Sequence, residues 1–243
     1  MYSYQNLVTA SQVDRHKKMR IAALFDLMAD CEQLQIDNAG SLGRYMSERR
    51  AGIFLCYRQA DLLRRPAYGE TLTATTFIYD LNPVTGRRNT VIYDARGEVI
   101  LRSYGIGAFV DLKTGGMTTI DRSFVTGYPL SQKLDMAYTS RKVNPPVGTA
   151  AIPAAAYPAP ESHIDAYGHV NNAKYILTAA EYLADEDAPR RVRVEYKSPA
   201  RYGDTVRPLL YREPDALTVA LTDDKNEKTV YAVVEFSNAG VDK

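Results

Sequence analysis

His163-Ile164-Asp165-Ala166-Tyr167-Gly168-His169-Val170-Asn171-Asn172-Ala173-Lys174-Tyr175 gathers polar residues of chemical interest just ahead of a helical apolar pattern. Two structural roles account for part of it. Asp165 to Gly168 can close a turn in which the carboxylate accepts from its own backbone, and Asn171 can cap the following helix. Neither role explains His169, one of three histidines in the chain, at the mouth of a helix. A helix N-terminus presents N–H groups without partners and a partial positive charge. It can polarise a carbonyl and hold the oxyanion of acyl transfer. A carboxylate beside it can activate water or attack the carbonyl, and an imidazole can orient that group or move a proton. Asp165 and His169 are therefore the candidate catalytic pair. Tyr167, Asn171 and Asn172 are candidates for contact with the substrate or its oxyanion.

Outward from this stretch, Ala173, Ile176, Leu177, Ala180 and Leu183 predict a helix over 171–184. Strands are predicted at 191–196, 205–211, 217–221 and 229–236, the last two joined by a polar hairpin loop at 223–227. The first half shows the same plan. Apolar positions from Ile21 to Gln35 predict a helix over 19–39 with Gly40 as its stop, after a start without strands. Strands at 53–57, 71–79, 89–93 and 99–110 follow, parted by turn residues.

The two halves also share a turn. Pro66-Ala67-Tyr68-Gly69-Glu70-Thr71 corresponds to Pro199-Ala200-Arg201-Tyr202-Gly203-Asp204-Thr205, with glycines 134 positions apart. A duplication explains it. A long helix on an antiparallel sheet, made twice, is an α+β plan, divided as 1–120, a proline-rich connecting segment at 121–150 with one strand near 150–156, and 151–243. Aligning the helix entrances sets Asp14 opposite Asp165, Lys18 opposite His169 and Arg20 opposite Asn171, with His16 exposed and out of register. The first copy keeps an acid and lacks the imidazole, so one competent site per chain is expected.

The chain has 243 residues, 30 Lys+Arg against 29 Asp+Glu. At about 150 residues per domain the length falls between one domain and two, and the duplication resolves it. Near-neutral charge excludes a dedicated nucleic-acid binder. No basic segment leads into an apolar one at the N-terminus, and no apolar run reaches the roughly 18 residues of a membrane span; a cytoplasmic protein without membrane insertion is expected. Cys31 and Cys56 read as buried thiols of a reducing compartment. No spacing suggests a metal, Gly115-Gly116 matches no phosphate loop, and no cofactor is expected.

Asp-x-x-Gly-His-Val-Asn-Asn-x-x-Tyr before a helix resembles the motif of hot-dog-fold thioesterases. The doubled plan, the length and the opening Arg20-Ile21-Ala22-Ala23-Leu24-Phe25-Asp26-Leu27-Met28 are similar to the acyl-[acyl carrier protein] thioesterases of plants and bacteria. That resemblance implies two fused hot-dog units, their sheets joined in one surface, the first cradling the acyl tail. It implies hydrolysis of fatty acyl-[acyl carrier protein] to free acid, with Asp165 and His169 on the family's Asp and His. Tyr167 stands where the plant pattern has Asn, and Pro199 where the family has a Glu. Glu195, four residues earlier and on the same face of a regular strand, reads as an exposed edge-strand position, with substitution for that Glu as the alternative. The acidic carrier implied by the family gives the cluster Arg190, Arg191 and Arg193 a docking role, beside a solvated-surface reading that also covers Arg64-Arg65 and Arg87-Arg88. A homodimer stays open. An acyl-CoA thioesterase on the same scaffold and a non-catalytic acyl-binding module are the alternatives.

Overall fold

The 3.6-residue pattern between Ile21 and Gln35 becomes helix α1 (Ile21–Asn38), which buries Leu24, Phe25, Leu27, Met28 and Cys31 on one side. In this computed structural model residues 1–38, 41–184, 189–226 and 228–238 are described, so the stop assigned to Gly40 and the Glu227 end of the predicted hairpin loop lie outside the described residues. The chain divides into two compact units, 1–58 with 64–138 and 59–63 with 139–243.

In the first unit α1 packs on an antiparallel sheet. Strand β1 (Tyr2–Leu7) leads the chain, in a region the sequence pattern left without strands, and pairs with β3 (Thr71–Leu81). Its side chains alternate half-buried and exposed, an edge pattern of Tyr, Ser, Gln and Asn too polar to stand out. β3 continues to β4 (Thr85–Asp94), β5 (Val99–Asp111) and β2 (Ala51–Leu62). Two short helices escaped the sequence reading, α2 (Ser41–Glu48) and α3 (Arg122–Gly127). Both are too brief for a periodic signal. Leu42, Tyr45 and Met46 of α2 join Phe109 and Ile120 in a cluster against which Phe124, Val125 and Tyr128 pack.

That cluster changes the account of the connecting segment. Residues 121–138 belong to the first unit and residues 139–150 to the second. Tyr138 donates to Asn89 Oδ1 at 3.1 Å, whereas the Thr139 hydroxyl donates to Gln59 Oε1 at 2.6 Å. Proline content marked the segment as irregular, but its side chains tie it down.

The second unit repeats the plan in shorter form. Helix α4 (Asn172–Ala180) lies against β10 (Ala216–Asp223) and β11 (Val230–Ser237). The strand order runs from residues 59–62 of β2 through β8 (Arg191–Tyr196), β11 and β10 to β9 (Thr205–Glu213). Two-residue strands β6 (Ile152–Pro153) and β7 (Tyr157–Pro158) pair with β9. Val192 and Val194 of β8 pair with Phe236 and Val234 of β11 and are fully buried. Period-two alternation turns their neighbours Arg191, Arg193 and Glu195 to the opposite face.

The duplication is legible bond by bond. Val8 N–H donates to Glu70 O and Gly69 N–H to Val8 O in the first unit; Ala159 N–H donates to Asp204 O and Gly203 N–H to Ala159 O in the second. Gly69 and Gly203 hold φ values of 84° and 80°, a left-handed conformation that suits glycine.

Candidate active site

Asp165 closes the expected turn. Its Oδ1 accepts from the backbone N–H of Tyr167 at 2.8 Å and of His169 at 3.2 Å, and its own N–H donates to His169 O. Gly168 takes φ 77° at the tightest point. Val170 and Ile164 form a bridge across the turn, and Val170 N–H donates to Ala200 O at 2.8 Å. Asn171 then caps α4, its side-chain oxygen accepting from Ala173 N–H at 2.8 Å while its own N–H donates to His163 O. Lys174 N–H reaches Asn171 O. Asn172 N–H, at the first helical position, has no partner among the described residues. It is the donor a helix start leaves over.

The first unit builds the same turn from other residues. Asp14 Oδ1 accepts from His16 N–H at 2.8 Å and Lys18 N–H at 3.0 Å, and Met19 N–H donates to Pro66 O at 2.7 Å. Lys17 occupies the position of Gly168 at φ 58°. His16 is exposed, as expected from its register. The copies part at the second carboxylate oxygen. Asp14 Oδ2 accepts from the Arg65 guanidinium at 2.5 Å, and Arg65 Nε donates to Met19 O at 3.0 Å. Burial alone would raise the Asp14 carboxyl; the Lys18 and His16 amides and the Arg65 charge outweigh it and hold it below its usual range. The residue opposite Arg65 in the second copy is Pro199. Asp165 Oδ2 has no partner among the described residues, and Asp165 is half-buried.

His169, Asn171 and Asn172 are half-buried around the same helix entrance, and Tyr167 is 49% exposed at the turn's tip. His163 adds a second imidazole nearby; burial and then the Lys174 charge depress its pKa. Two tyrosines stand here to which sequence reasoning assigned no site role, Tyr175 at the end of the quoted motif and Tyr196 outside it. Tyr175 is buried in α4, its hydroxyl accepting from Ala200 N–H at 2.9 Å. Burial, with smaller contributions from Tyr157, Asp165 and Asp204, pushes it up to about 12. Tyr196, at the end of β8, donates to Asn172 O at 3.2 Å, and the two rings meet edge to face. The positions that match them in the first copy of the repeat hold Leu24 and Leu62, a contrast between copies that could have exposed them.

Glu195 corrects an expectation. It is 8% exposed, on an inner strand between β11 and the end of β2, not on an edge. Its Oε2 accepts from Val143 N–H at 3.0 Å and from Lys197 Nζ at 2.9 Å. It points away from α4, so it does not join Asp165. The arginine cluster divides similarly. Arg191 is buried and bidentate on Asp61 at 2.6 and 2.9 Å. Arg193 holds Glu235 at 3.1 Å and the carbonyls of Ser140 and Lys142. Only Arg190 of the three is exposed. Cys31 is buried and its thiol, pushed up to about 11 chiefly by burial, donates to Ala74 O; Cys56 is half-buried. Among the described residues no His, Cys, Asp and Glu side chains group as metal ligands, and no helix is long and apolar enough to cross a membrane.

A helix-on-sheet unit made twice, with a carboxylate turn at the mouth of each helix, is the build of a hot-dog acyl hydrolase. Residues 1–128 match the acyl-ACP thioesterase N-terminal domain and residues 153–237 the acyl-ACP thioesterase C-terminal domain. The chain belongs to the acyl-ACP thioesterase family, hydrolases of fatty acyl-[acyl carrier protein] thioesters. Solved structures share the fold. An acyl-ACP thioesterase from Bacteroides thetaiotaomicron superposes with a TM-score of 0.84 at 18% identity, over 97% of this chain and 96% of that one. The 12:0-ACP thioesterase from Umbellularia californica superposes at 0.80 with 17% identity, over 97% and 92%. No curated protein sequence matches the chain.

Proposed function

We propose that hydrolysis runs at the entrance of α4, with Asp165 as general base, Asn172 N–H as oxyanion donor and His169 as the group that orients or relays the proton. One observation supports this reading above the others. The two copies build the same turn, yet only the second leaves a carboxylate oxygen without an arginine on it.

Asp165 Oδ2 takes a proton from water as the water oxygen bonds to the thioester carbon. The carbonyl electron pair moves onto oxygen and is held by Asn172 N–H and the helix terminus. When the C–O double bond re-forms, the C–S bond breaks and the sulfur leaves with the proton from Asp165, passed directly or through His169. The products are a free fatty acid and the carrier thiol. Tyr167, exposed at the turn's tip, meets the thioester arm. Arg190, the exposed member of its cluster, faces an acidic carrier, and the first unit lodges the acyl tail. We place the reaction in fatty acid synthesis in a reducing, cytoplasmic compartment.

Thiol release from a panel of acyl-[acyl carrier protein] chain lengths, beside matched acyl-CoA substrates, tests the reading. Asp165→Asn keeps an oxygen for the turn amides and removes the base, so kcat should fall at least about 10²-fold, the scale of a general base. An unchanged kcat would exclude Asp165. Rates favouring acyl-CoA over the carrier would move the substrate assignment to the coenzyme.

A further inference from the structure

The structure assigns to Tyr196 the role of a positioning residue, whose hydroxyl holds the first turn of α4 so that Asn172 N–H stays aimed at the developing oxyanion; this rests on Asn172 being that donor.

The peptide groups around Asn172 are fixed one after another. Asn171 N–H, on the side before it, is bound to His163 O. Ala173 N–H, on the side after it, is bound to the Asn171 side chain, and Asn172 O receives Tyr196. Asn172 N–H alone among these is left over. All but one of these ties come from the local turn, which moves with the helix. Tyr196 is the tie from the sheet. It sits at the end of β8, whose Val192 and Val194 are anchored in the core and whose partner across the ladder is Ala232 of β11. A donor must be aimed where charge develops before the reaction for it to assist, and a looseness of about 1 Å in such a group is costly.

The helix does not need this bond for its own completion. An Asn172 carbonyl at the first helical position has the regular acceptor role toward the next turn. A half-buried tyrosine does seek a partner for its hydroxyl, but the choice of this carbonyl is peculiar to the competent copy. In the first copy, where Asp14 is bound by arginine, the positions matching Tyr196 and Asn172 hold Leu62 and Ile21, and a leucine has no hydroxyl to donate. The copy that retains its carboxylate is the one that ties its helix mouth through a hydroxyl.

Tyr196→Phe removes that hydroxyl and little else. Kinetics on one acyl-[acyl carrier protein] substrate should show kcat lowered roughly threefold to tenfold with KM within twofold, because an interaction made only in the transition state is weakened. The acid limb of the kcat–pH profile should stay where it is, since Tyr196 does not touch Asp165, and the melting temperature should move by only a few degrees. An unchanged kcat overturns the role. So does a loss of rate that comes with a raised KM, a displaced pH limb or a large fall in melting temperature, each the mark of a merely structural tyrosine. Asp165→Asn, assayed alongside, separates the two levels. If it retains full rate, the site itself is misassigned. If it is inactive while Tyr196→Phe is as fast as the parent, the positioning role alone fails.

Discussion

The turns at Asp14 and Asp165 are the same backbone object carrying opposite electrostatics. Each carboxylate accepts two amides of its own turn, each turn is bridged across its ends, and each is stitched to the strand that opens with a Gly-acid-Thr sequence. In the first copy an arginine occupies the remaining oxygen, and lysine or arginine stands at positions 15, 17, 18 and 20. In the second, proline replaces the arginine, and imidazole and amides line the entrance. A turn that needs only a carboxylate for its geometry leaves the second oxygen available for another purpose. Whether that oxygen is taken by a salt bridge turns on one position in the loop before the next strand, Arg65 in the first copy and Pro199 in the second.

The second unit takes in residues 59–63, far from the rest of it in sequence, and this offers the harshest way to break it. Asp61, at the end of β2, carries both carboxylate contacts of the buried Arg191. Asp61→Ala withdraws them from a guanidinium held away from water and should cost roughly 3–5 kcal/mol of stability, read as a large fall in the urea midpoint. A shift under about 0.5 kcal/mol, that of an ordinary surface change, would show that the β2 segment is dispensable.

Converting the competent turn into its silent twin is the sharper test. Pro199→Arg places a guanidinium where Arg65 lies in the first copy, within reach of Asp165 Oδ2 and Val170 O. An opposite charge favours the carboxylate and occupies its free oxygen. kcat should fall about tenfold, with the acid limb of the pH profile moving to lower pH. A rate equal to the parent's would show that the arginine is not what separates the copies.

Acid should weaken the first unit through its locked carboxylates. Glu32 is buried against Arg58, which donates twice to it, with Arg88 alongside and Thr90 donating at 2.6 Å. Burial opposes the charged form, but the two arginines and Thr90 outweigh it and hold Glu32 below its usual value. A depressed carboxylate stabilises the fold above its unfolded value and loses that contribution as pH falls through the folded one. Melting temperature should therefore drop below about pH 4.5, and Glu32→Gln, though less stable at neutral pH, should show a flatter dependence there. An equal slope in the two proteins would remove Glu32 from the acid response.

The smallest effect concerns Lys17. Lys17→Gly gives the first turn the residue its φ of 58° suits. The gain from relieved strain is offset by glycine's greater freedom when unfolded, leaving a stabilisation under about 1 kcal/mol, measurable by denaturant unfolding. A loss of more than that would mean the lysine side chain holds the turn.

Much of this was legible in the chain. The Asp165 turn, the Asn171 cap, helix α1, the start of α4 (which ends at Ala180, short of the 184 expected) and strands such as β8 obey local rules, in which a carboxylate, an amide or an apolar period acts within a few residues. The paired Gly-acid-Thr turns announced the duplication, and the motif from Asp165 to Tyr175 together with that doubled plan pointed to the family. What escaped was either too short or too polar to carry a period, as with α2, α3 and β1, or depended on which strand lies beside which.

By itself, then, the sequence determined where helices begin, how their entrances turn, and that the plan is made twice with one copy stripped of its imidazole. Tertiary structure alone decided that Arg191 is spent on Asp61, 130 residues away, that Glu195 faces Val143 and not the helix, that the connecting segment divides between the units, and that Tyr196 reaches Asn172. A turn is closed by bonds between near neighbours, whose chemistry can be read in order along the chain. A buried charge takes its partner from whichever strand the sheet sets beside it, and no local pattern encodes that neighbour.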